Sequence, residues 1–163
     1  MKHAAMKKLP PLLLALMLLA CSCAPEEPCE EDSISELVIS FKTETNGLLS
    51  DTAITGLTIY GIREGQPTWL LYDSVTFAEI LLPLDPHRDE SHFVFQANGK
   101  ADTLGLMHTS EIYMISYACG FGHRFTLDPD MQYGEGMILK DSLINPIVNT
   151  SLEDIEAHIW LYF

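Results

Sequence analysis

Basic residues are scarce in this chain. Nine lysines and arginines stand against 23 aspartates and glutamates, a formal net charge of −14. Lys2, Lys7 and Lys8 lie at the extreme N-terminus, so the remainder sets six bases against 23 acids, about −17. Such a surface repels phosphate, and no basic patch interleaved with aromatics relieves it, which excludes nucleic acid as a partner. Long apolar runs are missing too: Leu12 to Ala20 is nine residues, where a membrane-spanning helix needs about 20. There is no G-x-S-x-G elbow, no H-E-x-x-H, no P-loop and no glycine-rich dinucleotide turn, so no common enzyme class is announced and no cofactor is expected. Cysteine is limited to four residues, none in C-x-x-C spacing, which argues against a zinc or dithiol site.

What is present begins with a sorting signal. The three lysines, the apolar run Leu12 to Ala20 and a small residue before the first cysteine make residues 1–20 read as a cleaved signal peptide. Leu18-Leu19-Ala20-Cys21 resembles the bacterial lipobox, although Leu19 is larger than the residue usual at that position. The resemblance implies an acylated Cys21, and two or three acyl chains give stable anchoring where one gives reversible binding. Residues 21–32 are acidic and proline-containing with almost nothing to bury, the composition of a tether. An acidic run after a lipidated cysteine resembles the export signal of surface-exposed lipoproteins in the Bacteroidota; a solvated linker is the plainer reading. The expected location is the outer membrane, facing the periplasm or the exterior.

Residues 33–163 read as one domain. Period-two alternation dominates: Leu37, Ile39 and Phe41; Leu57, Ile59 and Gly61; Ile80, Leu82 and Leu84; Phe93 and Phe95. Asn98-Gly99 predicts a tight hairpin, because both turn residues must tolerate positive φ. About nine short strands separated by Gly, Pro and Asp turns predict an all-β fold, a single antiparallel sandwich of immunoglobulin-like or related Greek-key type with about 7–9 strands. Pro83 and Pro146 belong on edges or at bulges. One helical turn is expected around Ser151 to Glu156. The C-terminal alternation of Ile155, Ala157, Ile159, Leu161 and Phe163 resembles the closing strand of outer-membrane barrels, but most other runs fall short of a barrel strand, and a final sandwich strand is the preferred reading.

In an oxidising envelope cysteines pair, and Cys23, Cys29 and Cys119 allow three single pairings. Cys29–Cys119 is favoured, since Cys29 lies where the tether meets the domain and Cys119 ends an apolar strand. Closing a loop of about 90 residues contributes about 4–5 kcal/mol in the loop-entropy account. Cys23 is left without a role.

Several stretches together carry a family likeness: Cys29 to Asp32 (CEED), Ile59 to Gly61 (IYG), Leu82 to Leu84 (LPL), Tyr117 to Phe121 (YACGF) and Asp141 to Thr150 (DSLINPIVNT) before a terminal HIWLYF. The chain resembles an uncharacterised lipoprotein family of the Bacteroidales, a domain of unknown function. The resemblance implies a lipid-anchored β-sandwich with a cysteine pair and supplies no activity.

Two further patterns concern chemistry. The segment Asp85 to His92 (DPHRDESH) is the densest titratable cluster, with Asp85, His87, Asp89, Glu90 and His92 as candidate metal ligands against the reading of a solvated hairpin loop. His108, His123 and His158 are scattered and read as surface or satisfied histidines. Five Asp-Ser/Thr-aliphatic triplets place Ser33, Thr52, Ser74, Thr103 and Ser142 in a pattern that resembles the O-glycosylation sequon of Bacteroidota. The same pairs are also good turn chemistry. The expectation is a non-enzymatic binding or scaffolding module on a membrane anchor, its partner an envelope protein or an extracellular polymer. The alternative is a metal-dependent surface enzyme or hydrolase accessory built on the Asp85–His92 loop.

Overall fold

The computed structural model describes residues 34–63, 65, 66, 68–150 and 157–163. The signal and tether, with Cys21, Cys23, Cys29 and Ser33, and the expected turn at Ser151 to Glu156 lie outside the described residues. Twelve strands and no helix occur among those described. One sheet places β10 (Lys140–Leu143), β12 (Ile159–Tyr162), β1 (Glu36–Thr45) and β2 (Leu48–Asp51) in that order, with β5 (Glu79–Pro83) also on β1. The other runs β11 (Ile147–Val148), β8 (Gly120–Leu127), β7 (Lys100–Ser116), β6 (Glu90–Ala97), β3 (Ile54–Ile62), β4 (Trp69–Phe77), with β9 (Gln132–Tyr133) on β7. The result is the expected β-sandwich.

Its strands outnumber the expectation, for local reasons. Asn46 and Gly47 adopt φ of 55° and 76°, and Thr45 pairs with Leu48. The β1–β2 hairpin is therefore the same two-residue turn as the one expected at Asn98 and Gly99, where φ is 52° and 75°. The run Leu143 to Val148 divides between the sheets, as the end of β10 and as β11. Strands of two residues, β9 and β11, are too short to show a period. One pair departs from the antiparallel rule: β12 lies parallel to β1, with Ile39 beside Ile159 and Phe41 beside Leu161.

The alternating residues meet between the sheets. Leu37, Ile39, Phe41, Ile80, Leu82 and Ile159 on one side face Leu57, Ile59, Phe93, Phe95 and Leu104 on the other, all essentially inaccessible. Phe41 crosses to Phe95 edge-on at 6.5 Å. Full burial of each such side chain contributes about 1.5–3 kcal/mol. The intervening residues of β1, Val38, Ser40 and Lys42, are buried as well. A central strand has neighbours on both sides: Lys42 reaches Asp51 at 2.5 Å and lies over the Trp160 ring, and Ser40 donates to Glu79. Both prolines fall where expected, Pro83 at the end of β5 and Pro146 just before the edge strand β11.

Candidate functional site

A cavity of about 530 Å³ opens at one end of the sandwich. Its construction starts with Gly61 on β3, which lies between Trp69 of β4 and Phe93 of β6. A Cβ at Gly61 would stand 2.3 Å from Cζ2 of Trp69. The missing side chain is what lets the indole lie across β3 and form a wall. Phe93 and Leu84 supply an apolar base.

The rim is charged. Two residues beyond Gly61, Arg63 places its guanidinium 5.5 Å from the Trp69 ring centroid and its Nε 2.8 Å from Asp85 Oδ2. That ion pair links β3 to the segment after β5. Asp85 also accepts the His87 amide at 3.0 Å, a local turn that shapes the loop. Glu90 and His92, 3.3 Å apart, complete the rim with Arg88.

Ser91 looks into this cavity and meets His108 Nε2 at 2.9 Å. Asp85 N–H donates to Ser91 Oγ at 3.2 Å, while His108 Nδ1 is buried with no hydrogen-bond partner among the described residues. A nucleophile–base pair needs a third group to orient the base, and none reaches Nδ1 among the described residues. Burial pushes His108 below the ordinary histidine range, opposed by the carboxylates of Asp89 and Asp85.

The titratable cluster is thus divided. Asp85, Glu90 and His92 share the cavity, whereas His87 and Asp89 do not line it and are exposed. No group of three or more His, Cys, Asp or Glu converges as a metal site among the described residues. Sequence reading missed Gly61, Arg63 and Trp69 as a unit. Only the β3–β4 register joins them, and that register contains three shifts.

Elsewhere, Ser74 and Thr103 are exposed, while Thr52 and Ser142 are half-buried. Of these four described residues, Thr52 alone occupies a connection between strands. Ser74 sits within β4 at φ 50°, and Thr103 and Ser142 lie inside β7 and β10. Their Asp-Ser/Thr pairs are therefore not turns. Cys119 closes the β7–β8 hairpin, its amide donating to Ser116 Oγ, and it is not a free thiol. The imidazole of His158 is wholly buried, and Nδ1 accepts the Val38 amide at 2.9 Å.

Such a cavity suits a ligand with one apolar face and a polar edge: an aromatic wall, an apolar base, and donors and acceptors around the mouth. Comparisons with curated proteins and with solved structures find no match. The chain does match a family over residues 56–163, a span that contains most of β3, all of β4 through β12 and every lining residue of the cavity. It belongs to that family, a family of unknown function (DUF6452).

Proposed function

We propose that this protein is a cell-envelope lipoprotein anchored through Cys21, whose sandwich is a non-enzymatic binding module for an extracellular or envelope polymer. The cavity walled by Trp69 carries this reading. Its apolar wall and mixed-charge rim fit a sugar unit or a chain end of a glycan, which offers an apolar ring face and a hydroxylated edge. The lipobox-like Leu18 to Cys21 and the acidic tether support the anchor. Cys119, which is not a free thiol, supports pairing with Cys29. Among the described candidates, the exposed Ser74 and Thr103 are the best-placed O-glycan acceptors.

Binding of the mature protein to a panel of envelope polysaccharides, compared with Trp69→Ala, tests the module. Retention lost in the variant supports it; equal retention, or none by the wild type, overturns it. Intact mass tests the anchor and the sugars, and a non-reducing peptide map tests Cys29–Cys119.

A further inference from the structure

The far end of the β7–β8 hairpin is exposed, apolar and free of charge. Residues 112–122 (IYMISYACGFG) contain no Asp, Glu, Lys or Arg, in a chain where one residue in five is charged (20%). Met114 pairs with Phe121 and Ile112 with His123, so Ile112, Met114 and Phe121 share one face of the hairpin. They are 70%, 46% and 69% exposed, and Tyr117 at the turn is 100% exposed. A charged rung closes this zone: Glu111 pairs with Arg124, whose guanidinium lies over Tyr113 at 4.6 Å. Tyr113 in turn hydrogen-bonds Thr150 Oγ1 at 2.5 Å, which fixes the hairpin to the body.

The chain leaves the domain beside this hairpin. Ser35 donates to the carbonyl of His123, and β1 begins one residue later. From His123 to Cys119 along β8 is about 14 Å at strand rise. The 14 residues from Cys21 to Ser35 extend to about 45 Å. A lipid at Cys21 therefore reaches the level of the hairpin turn with slack, and any bond from Cys119 to the tether shortens that reach.

We infer that the turn of the β7–β8 hairpin, with Tyr117 and Phe121, rests in the head-group layer of the membrane that holds the anchor. This rests on the lipoprotein reading above. The hairpin end carries no charge for an anionic bilayer to repel, Tyr117 has the apolar ring and polar tip that favour the water–lipid interface, and Phe121 adds apolar surface beside it. The depth is limited to that layer, because hydrocarbon excludes an open sheet edge.

Tyr117→Trp in the full lipoprotein, reconstituted in phosphatidylethanolamine vesicles, tests this, with the wild-type emission from Trp69 and Trp160 subtracted. The added emission is expected to move to the blue on reconstitution, to be quenched by lipid brominated near the head group, and to resist aqueous iodide. Quenching by iodide equal to that of the unanchored Cys21→Ser form overturns the inference. Shielding from both quenchers also overturns it, in favour of a protein surface or a second copy over the hairpin. Intact mass of the same sample separates the two readings. If acyl chains are absent the anchor fails, and flotation of the protein with vesicles then decides the hairpin alone: binding lost in Phe121→Ser upholds it, and no binding overturns it.

Discussion

Asp102 on β7 accepts the amide of Gly136 at 3.1 Å, and Gly136 lies so close to β7 that a Cβ would stand 2.2 Å from the Ala101 carbonyl oxygen. The same carboxylate accepts the amides of Gly134, Met137 and Ile138 at 2.7–3.1 Å. Burial alone would raise this carboxyl; the amides of Met137, Ile138, Gly134 and Thr103 outweigh it and hold it below the ordinary carboxylate range. One aspartate thus fixes the loop between β9 and β10.

Removing that acceptor strands several amides. Asp102→Ala is expected to cost about 3 kcal/mol, and Asp102→Asn, which turns one acceptor oxygen into a donor, about 2 kcal/mol. Urea unfolding measures both. An unchanged midpoint in Asp102→Ala would refute the assignment.

Gly61→Ala puts a methyl where the Trp69 ring lies. Overpacking of this kind costs about 1–3 kcal/mol. The near-ultraviolet circular dichroism of tryptophan is expected to change with it, because the indole must leave β3. A wild-type spectrum in Gly61→Ala would mean that Trp69 is not seated on the glycine.

Acid weakens the fold through two histidines. His108 and His158 are buried, and burial pushes both below the ordinary histidine range. Below about pH 6.5 the unfolded chain takes up protons that the folded chain does not, so stability is full above that value and falls as pH drops toward the folded values. Each group contributes a slope of up to about 1.4 kcal/mol per pH unit. Urea midpoints at about pH 7.5 and 5 measure this. His158→Asn, which keeps an acceptor for the Val38 amide, is expected to flatten the profile.

Gly47 and Gly99 hold φ of 76° and 75° with open space around the Cβ position. Alanine at either is expected to cost about 1 kcal/mol from backbone strain alone. Equal losses at the two sites, read by thermal unfolding, would establish that the β1–β2 turn carries the same constraint as the β6–β7 turn.

Much of the architecture was legible because it is periodic. Leu37-Ile39-Phe41 and Phe93-Phe95 alternate, and they are the two facing layers of the core. The Asn46-Gly47 turn carried the same signal as Asn98-Gly99, but β2 behind it is short and fully exposed and shows no apolar alternation. The site was legible only in part. Asp85, Glu90 and His92 are neighbours in sequence, so their clustering showed; Trp69 reaches them through an irregular strand register, which composition does not encode. The role of Asp102 was hidden for a related reason. Apart from Thr103, its amide donors lie 32–36 residues away and are backbone groups, which carry no side-chain signature.

The parallel pairing of β12 with β1 sets an order on assembly. The strand that fills the slot between β1 and β10 is the last of the chain, Ile159–Tyr162. One edge of β1 therefore stays open until Ile159–Tyr162 has been made, whereas β2 and β5 pair with it from nearer in the sequence. A contact of such sequence separation carries a large closure cost and forms slowly. The hairpins β6–β7 and β7–β8 need no such wait, so the sheet they build is expected to form before β12 enters the slot beside β1.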